Sequence, residues 1–391
     1  MSYQFLRGEV PTRLCHTIIE LEAIPGPLLQ QTAIREVASL YRKSFEELLD
    51  FPTATEISKM SHSKIQNYLL NFTKLLNKFH QRHANVVSTM ALGILQLKQS
   101  GEVSFEDLLN LREFLDRFYM SRIGLRTHIE HHLNLYSRYP STASSTYSPT
   151  SSFTSTLDSA FKHKYSSTNS TEDEYFGVFH NRCDLKLLFE NVASYVSSIC
   201  KFTYTIAPKV EIITENGDNP ITSYPSAHLF YIGTEILKNS MRAVIETHGY
   251  ADALPEIIVR IIEKDGTITI KISDLGGGIP LDTQPKLFSY AFSTAAMPST
   301  HAEPEGVFAG FGYGLALSRL YALYLGGRLT IAPVYGYGTD VFIYLQNPKI
   351  AREVLPSLDR ATLKRYQESD RIPDHRHWME TSLLKSASES D

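Results

Sequence analysis

Apolar residues recur every three or four positions through most of the first third of the chain. In one segment they fall at Ile34, Val37, Tyr41 and Leu48, a spacing that places them on one face of a helix. Comparable runs follow, with few strand-like alternations between them. The pattern from residue 12 to 137 predicts four or five long helices with short connections, which favours a helical bundle.

A polar tract separates this region from the rest of the chain. Serine and threonine supply 18 of the 31 residues from 141 to 171. Such a composition buries too little apolar surface to offset the entropy lost on ordering, so residues 140–173 are predicted to form a disordered insertion. The insertion is either a tolerated spacer or a regulatory phosphorylation segment.

Mixed α and β patterning follows the tract. A long helix is predicted from Ala227 to His248, and two β-branched runs flank Asp265-Gly266, a dipeptide that favours a tight hairpin. The strands and the second helix predicted here are Glu256–Glu263, Thr267–Ser273, Leu315–Leu325, Leu329–Ala332 and Asp340–Leu345. Helices and strands that alternate around one sheet predict an α/β sandwich.

These patterns divide the 391 residues into four regions: a bundle at 1–139, the insertion at 140–173, a sandwich at 174–347 and a tail at 348–391. The net charge of −4 provides no basic field for nucleic acid. Three cysteines cannot by themselves build a disulfide framework or a zinc site, which fits a reducing compartment. No apolar run reaches the ~18 residues that a membrane helix needs.

Polar side chains share one stripe of the predicted helix at 227–248. Glu235, Asn239 and Arg242 lie at i, i+4 and i+7, with Lys238 beside them. A carboxylate and an amide oxygen one turn apart suit a general base and a ligand of Mg²⁺, which prefers oxygen donors. The alternative is a solvated helix face with a Glu–Lys pair.

An aspartate and three glycines come directly after the strand predicted at 267–273. Asp274 could accept a hydrogen bond from an exocyclic amine such as that of adenine, and Gly276 and Gly278 let the backbone approach a ligand. The alternative is a plain turn. Later in the chain, Thr339 is either a turn residue or part of the same base pocket.

Alternating glycines open the helix predicted at 315–325. Glycines before a helix N-terminus expose backbone N–H groups and the positive end of the helix dipole to phosphate. The segment follows a loop and not a strand, so a Rossmann dinucleotide site is disfavoured. The long loop before it, which includes Ser293-Thr294, is typical of a lid or of a disordered segment. The glycine-rich residues are Gly310, Phe311, Gly312, Tyr313, Gly314 and Leu315.

The order of these motifs resembles the GHKL ATP-binding superfamily of histidine kinases, type II topoisomerases, Hsp90-like chaperones and mitochondrial protein kinases. Within it, the chain is similar to the mitochondrial pyruvate dehydrogenase kinase family. The similar runs are Glu235–Ala243, Leu287–Ala295, Gly310–Leu315 and, in the helical region, Phe114–Ile123.

The resemblance implies a helical bundle of the four-helix type followed by a GHKL-type α/β sandwich that binds ATP. It implies a serine kinase that phosphorylates and inactivates the pyruvate dehydrogenase α subunit, and so regulates acetyl-CoA production. Glu235 would be the general base, Asn239 would bind Mg²⁺ through ATP and Asp274 would bind the adenine amine. The other nucleotide positions implied are Lys238, Arg242, Gly276, Gly278, Ser293, Thr294, Gly310, Phe311, Gly312, Tyr313, Gly314, Leu315 and Thr339.

The same resemblance implies partners and a location. The bundle would dock on the lipoyl domain of the dihydrolipoyl acetyltransferase core, and the kinase would form a homodimer. The implied location is the mitochondrial matrix, although Met1 to Arg13 shows no Arg- and Ser-rich presequence.

Two positions depart from the family pattern. Tyr231 stands where the family often carries a histidine one turn before the catalytic glutamate. Asp370-Arg371 stands where its tail carries Asp-Trp. Two alternatives therefore accompany the pyruvate dehydrogenase kinase: a kinase of the branched-chain 2-oxo acid dehydrogenase, and an ATP-binding scaffold with weak or no kinase activity.

Overall fold

Helices fill the first third of the chain in the computed structural model. Helix α1 begins at Ser2 and not at residue 12, because Tyr3, Leu6 and Val10 already form a buried face, and Pro11 lies inside the helix without ending it. The helices are α1 (Ser2–Glu22), α2 (Thr32–Leu49), α3 (Ala54–Ile57), α4 (His62–Arg82), α5 (Val86–Ser100) and α6 (Phe105–Arg138). Five of them have 15 residues or more, as the apolar spacing predicts.

The structure describes most of both halves of the chain. The predicted disordered insertion, the nucleotide positions Ser293, Thr294, Gly310 and Phe311, and the Asp370-Arg371 pair lie outside the described residues. Those described are 2–22, 24, 29–57, 59–100, 105–138, 175–215, 220–249, 253–290, 312–347 and 350–356.

The described part of the second half contains two sheets and three helices of 11 residues or more. Strands β1, β2 and β4 form an antiparallel sheet, and the larger sheet has the order β3-β5-β6-β8-β7, in which only β3 and β5 are parallel. The elements are β1 (Tyr175–Phe176), β2 (Phe179–Asp184), α7 (Leu185–Tyr204), β3 (Val210–Thr214), β4 (Ile221–Tyr224), α8 (Ser226–His248), β5 (Ile257–Lys264), β6 (Thr267–Asp274), α9 (Gly314–Tyr324), β7 (Arg328–Val334) and β8 (Gly338–Leu345).

The predicted hairpin forms between β5 and β6. Asp265 and Gly266 both have positive φ, 54° and 75°, as a two-residue hairpin turn requires. Alternate residues of both strands are buried, Ile270 and Ile272 among them, because only one face of the sheet packs against helices. An α/β region preceded by a helical region, as the patterning predicts, is confirmed.

A half-buried ion pair joins Glu353, near the end of the described part of the chain, to the helical half. Both guanidinium Nη atoms of Arg13 in α1 donate to the Glu353 carboxylate, Nη2 to Oε2 at 2.8 Å, and His128 Nε2 of α6 lies 3.2 Å from the same Oε2. Gly124 lies under the pair, and a Cβ there would overlap both side chains. Residues 350–356 are therefore fixed against α1 and α6.

The protonation of Glu353 links this contact to pH. Burial alone would raise the pKa of Glu353, but the hydrogen bonds from Arg13 and His128 lower it to about 2. Because the folded pKa is below the ordinary value of 4.5, the stabilisation is complete above pH 4.5 and is lost as the pH falls towards 2.

We expect Glu353→Gln to lower the free energy of unfolding at pH 7 by about 2 kcal/mol, since the Arg13 guanidinium loses its bidentate charged partner. The loss should shrink towards pH 3, because the unfolded chain binds a proton there at the ordinary pKa of 4.5, while the folded carboxylate stays largely ionised down to about pH 2. Urea unfolding at several pH values measures it. Glu256→Gln is the matched control, because Glu256 and Lys209 form an exposed pair that should contribute less than ~1 kcal/mol.

Candidate functional site

Helix α8 carries the predicted catalytic stripe on a half-buried face. The Lys238 Nζ atom lies 2.7 Å from Glu235 Oε1, and the two side chains are 13% and 14% exposed. Asn239 follows, half-buried, and its side chain makes no hydrogen bond to another residue of the described part of the chain. A carboxylate, an ammonium and a free amide therefore line one side of α8.

The Glu235 carboxylate lies against the first residue of α9. A Cβ at Gly314 would overlap Glu235 Oε2, so only glycine allows this approach. The side chain of the N-cap residue Tyr313 makes no capping hydrogen bond to α9, and the first N–H groups of this helix lack partners within the helix. The positive end of the helix dipole thus faces Glu235 and the space beside it, which suits an anion such as phosphate.

Asp274 is a buried hydrogen-bond acceptor at the end of β6. Its side chain accepts from Ser240 Oγ at 2.8 Å and from the Gly276 N–H at 3.0 Å, and the residue is 7% exposed. Burial raises the pKa of Asp274, while the hydrogen bonds from Gly276, Ser240 and the Thr339 backbone oppose the rise. The paired strands β6 and β8 set Thr339 directly opposite Asp274.

The glycine turn, residues 276–278, is shaped by its protein neighbours. A Cβ at Gly276 would approach within 2.8 Å of the Ala243 backbone carbon in α8, and one at Gly278 would overlap the Val334 carbonyl. Gly277 and Gly278 have φ of 79° and 69°, which disfavours other residues. Their backbone freedom is needed for close packing between α8 and the β7–β8 turn, and that packing fixes Asp274.

Helix α8 therefore connects the two glycine-rich segments. Glu235 contacts the start of α9, and Ser240, five residues later, binds Asp274. Five residues of helix advance the backbone by about 7–8 Å. An anion-favouring end and a buried acceptor end lie along one helix, as a ligand with a phosphate group and a polar base requires.

The other described positions lie around this helix. Arg242 lies one turn beyond Asn239, with its Nε 3.5 Å from Glu246 Oε1. Gly312 has a φ of 77°, Leu315 is half-buried, and the Tyr313 ring is 5% exposed. The predicted roles of these residues in nucleotide binding remain predictions.

Three contacts at the site could not be predicted from the sequence. Ser240 binds Asp274, Thr247 Oγ1 donates to the Gly276 carbonyl at 2.9 Å, and His248 Nε2 lies 2.8 Å from the Leu275 carbonyl oxygen. All three residues extend from α8 towards the end of β6. Ser240 lies next to Asn239 in the motif, but only the packing of α8 on β6 reveals its partner.

Membrane and metal features can be examined over the same residues. Within the described ranges, no helix combines the length and apolar character needed to cross a membrane. In that same part of the chain, no three His, Cys, Asp or Glu side chains cluster as ligands for a metal ion.

Comparisons with known proteins cover nearly the whole chain. Residues 1–180 match the family model described as mitochondrial branched-chain alpha-ketoacid dehydrogenase kinase. Residues 225–349 match that of histidine kinase-, DNA gyrase B- and HSP90-like ATPases.

The chain is also similar to individual proteins of known name. The chain is 35% identical to a mitochondrial [pyruvate dehydrogenase (acetyl-transferring)] kinase of Drosophila melanogaster, over 94% of this chain and 82% of that protein. It is 33% identical to the human isozyme 4 over 95% of this chain and 83% of the relative. It is 31% identical to the human isozyme 1 over 95% and 79%.

The hydrogen bonds of Asp274 allow a direct test of the buried acceptor end of the site, where adenine is predicted to bind. We expect Asp274→Asn to weaken ATP binding at least tenfold, because an amide cannot keep both acceptor oxygens that now face Ser240 and the Gly276 N–H. Isothermal titration calorimetry measures the affinity.

Asp340→Asn is the matched control for this change. Asp340 pairs with Ser273 of β6 in the sheet register, next to the Asp274 pair, and its side chain bonds Lys271 at 2.7 Å. ATP affinity should be unchanged in that variant. Equal affinity in the wild type and Asp274→Asn would remove Asp274 from the site.

Proposed function

The chain belongs to the family of mitochondrial dehydrogenase kinases, and from this membership we propose that it transfers phosphate from ATP to a serine of the pyruvate dehydrogenase α subunit and so inactivates that enzyme. The relatives reported above are named for pyruvate dehydrogenase, which favours this substrate. The single observation that carries the proposal is the contact between the Glu235 carboxylate and the N-terminus of α9.

That contact brings a proton acceptor to the part of the site that favours phosphate. ATP supplies the transferred phosphoryl group. The Glu235 carboxylate can take the proton from a serine hydroxyl that enters beside Gly314, while the N–H groups at the start of α9 stabilise negative charge. Lys238, 2.7 Å from Glu235, orients the carboxylate and adds positive charge at the same place. Catalysis of this kind rests on positioning and electrostatics.

The remaining site residues have separate proposed tasks. Asn239 would hold Mg²⁺ together with the nucleotide, since its amide oxygen is a hard donor without a competing partner among the described residues. Asp274 would accept from the adenine amine, with Thr339 beside it. Ser293, Thr294, Gly310 and Phe311 are proposed nucleotide contacts on sequence resemblance alone.

Partners and location follow the family. We propose that the helical half docks on the lipoyl domain of the dihydrolipoyl acetyltransferase core, that the kinase is a homodimer, and that it acts in the mitochondrial matrix. The names of the relatives support the mitochondrial location.

A branched-chain 2-oxo acid dehydrogenase is the second candidate substrate. It is supported by the description of the family model that matches residues 1–180. The test is to incubate the full chain with Mg²⁺-ATP and each purified dehydrogenase, and to follow incorporation of phosphate. Phosphate on the pyruvate dehydrogenase α subunit supports the proposal. Phosphate only on the branched-chain enzyme would overturn the substrate assignment.

A weakly active scaffold is the third candidate, and Tyr231 is its support. This residue lies one turn before Glu235. The centroid of its ring is 4.9 Å from the ring centroid of Tyr321 in α9. Burial, and then the charge of Glu235, raises the pKa of Tyr231 well above its usual value, so the phenol stays protonated. ATP binding without phosphate transfer to either dehydrogenase would support the scaffold.

Glu235→Gln separates binding from chemistry. We expect the variant to bind ATP with near-normal affinity and to lose at least 10²-fold in transfer rate, because a neutral amide cannot accept the serine proton. Glu263→Gln, an exposed position on β5, should keep both properties. Full transfer by Glu235→Gln would refute its role as the base.

A further inference from the structure

An aromatic cluster joins the helical half to the start of α9. The ring centroids of Tyr119 in α6 and Tyr313 at the N-terminus of α9 are 5.9 Å apart. Tyr290, which follows the β6 end of the site, lies 5.5 Å from Tyr119 and 5.2 Å from Tyr313. All three rings are buried. Three distant parts of the sequence therefore meet at one point.

Asp116 is the polar centre of this junction. It lies one turn before Tyr119 on α6. Its Oδ1 accepts from the Tyr290 hydroxyl at 2.6 Å, and its Oδ2 accepts from Arg319 Nη2 at 2.6 Å. The Arg319 guanidinium also lies over the Phe288 ring, 5.3 Å from its centroid. One carboxylate of the helical half thus holds two separate stretches of the α/β half.

One of those stretches leads directly to the proposed phosphate end of the site. Arg319 is in α9, five residues after Gly314, which is about 7–8 Å along the helix axis. A short helix moves as a unit, so a change in the position of Arg319 also moves Gly314 and its contact with Glu235. A displacement of about 1 Å at a catalytic group can reduce a rate 10²-fold.

Among the described residues, Asp116 is the only carboxylate that forms an ion pair with Arg319. The ion pair is partly exposed, at 28% for Arg319 and 27% for Asp116, whereas the rings beside it are closed to water. Apolar side chains tolerate small shifts in their packing. A carboxylate that accepts hydrogen bonds on both oxygens, here from Tyr290 and Arg319, favours one geometry. Asp116 therefore sets the register of α9 on α6.

We propose that Asp116 is a positioning residue for the nucleotide site. It holds the N-terminus of α9 in place from the helical half, so that a side chain without any contact to the nucleotide determines ATP affinity. The inference rests on the proposed function, because it assumes that ATP phosphates bind at the start of α9.

The test measures ATP affinity of the full-length chain by calorimetry. Asp116→Asn should raise the Kd for ATP about tenfold, a typical size for coupling between distant groups. Arg319→Gln, which removes the charged partner of Asp116 in α9, should raise it by a similar factor. The double variant should match Asp116→Asn alone, because both changes break the same link.

Glu20→Gln is the control for a purely structural role. Glu20 in α1 pairs with Arg117 of α6 at 3.2 Å, and the two side chains are 12% and 13% exposed. This pair lies within the helical half and next to Asp116 in sequence. Its loss should lower the melting temperature and leave ATP affinity unchanged.

The outcomes separate the inference from the proposed function. If the wild type does not bind ATP, both fail. If the wild type binds and folded Asp116→Asn binds within twofold of it, the inference alone fails, and Asp116 is an interface contact only. If Asp116→Asn does not fold, Arg319→Gln decides: weaker ATP binding supports the positioning role, and unchanged binding overturns it.

Discussion

The close approach of α8 to the start of α9 is the constraint on which the site depends. The Glu235 carboxylate can lie at the N-terminus of α9 only because residue 314 has no side chain. Given that contact, the length of α8 sets the distance to Ser240 and so to Asp274 at the end of β6. Glu235 and the Ser240 contact with Asp274 therefore lie at two points along one helix.

The two halves of the chain meet through polar contacts with defined geometry. Glu353, beyond the last strand, bonds Arg13 in α1, and Asp116 in α6 bonds Arg319 in α9. Such pairs contribute modestly to net stability, because desolvation offsets much of the attraction. Their greater effect is to favour one arrangement over others that bury similar apolar area.

Local features of the structure could be predicted, and long-range ones could not. The Asp265-Gly266 turn could be predicted because these two residue types readily adopt the positive φ that the turn needs. The polar stripe of Glu235, Asn239 and Arg242 on α8 follows from helical periodicity. Asp116 looks like any polar residue of an amphipathic helix, and only the tertiary fold brings Tyr290 and Arg319 to it. The small sheet of β1, β2 and β4 escaped prediction for a similar reason. Its strands are short, and β2 and β4 are far apart in sequence.

The rate of phosphate transfer in Gly314→Ala tests the central contact most directly. Gly314 does not have a positive φ, so alanine fits its backbone conformation. Alanine also has a higher helix propensity than glycine. The added methyl group is therefore expected to act by displacing the Glu235 carboxylate. The account predicts a fall of about 10²-fold in folded protein, and no change for Gly8→Ala, where a Cβ meets nothing within 4 Å. An undiminished rate in Gly314→Ala would contradict it.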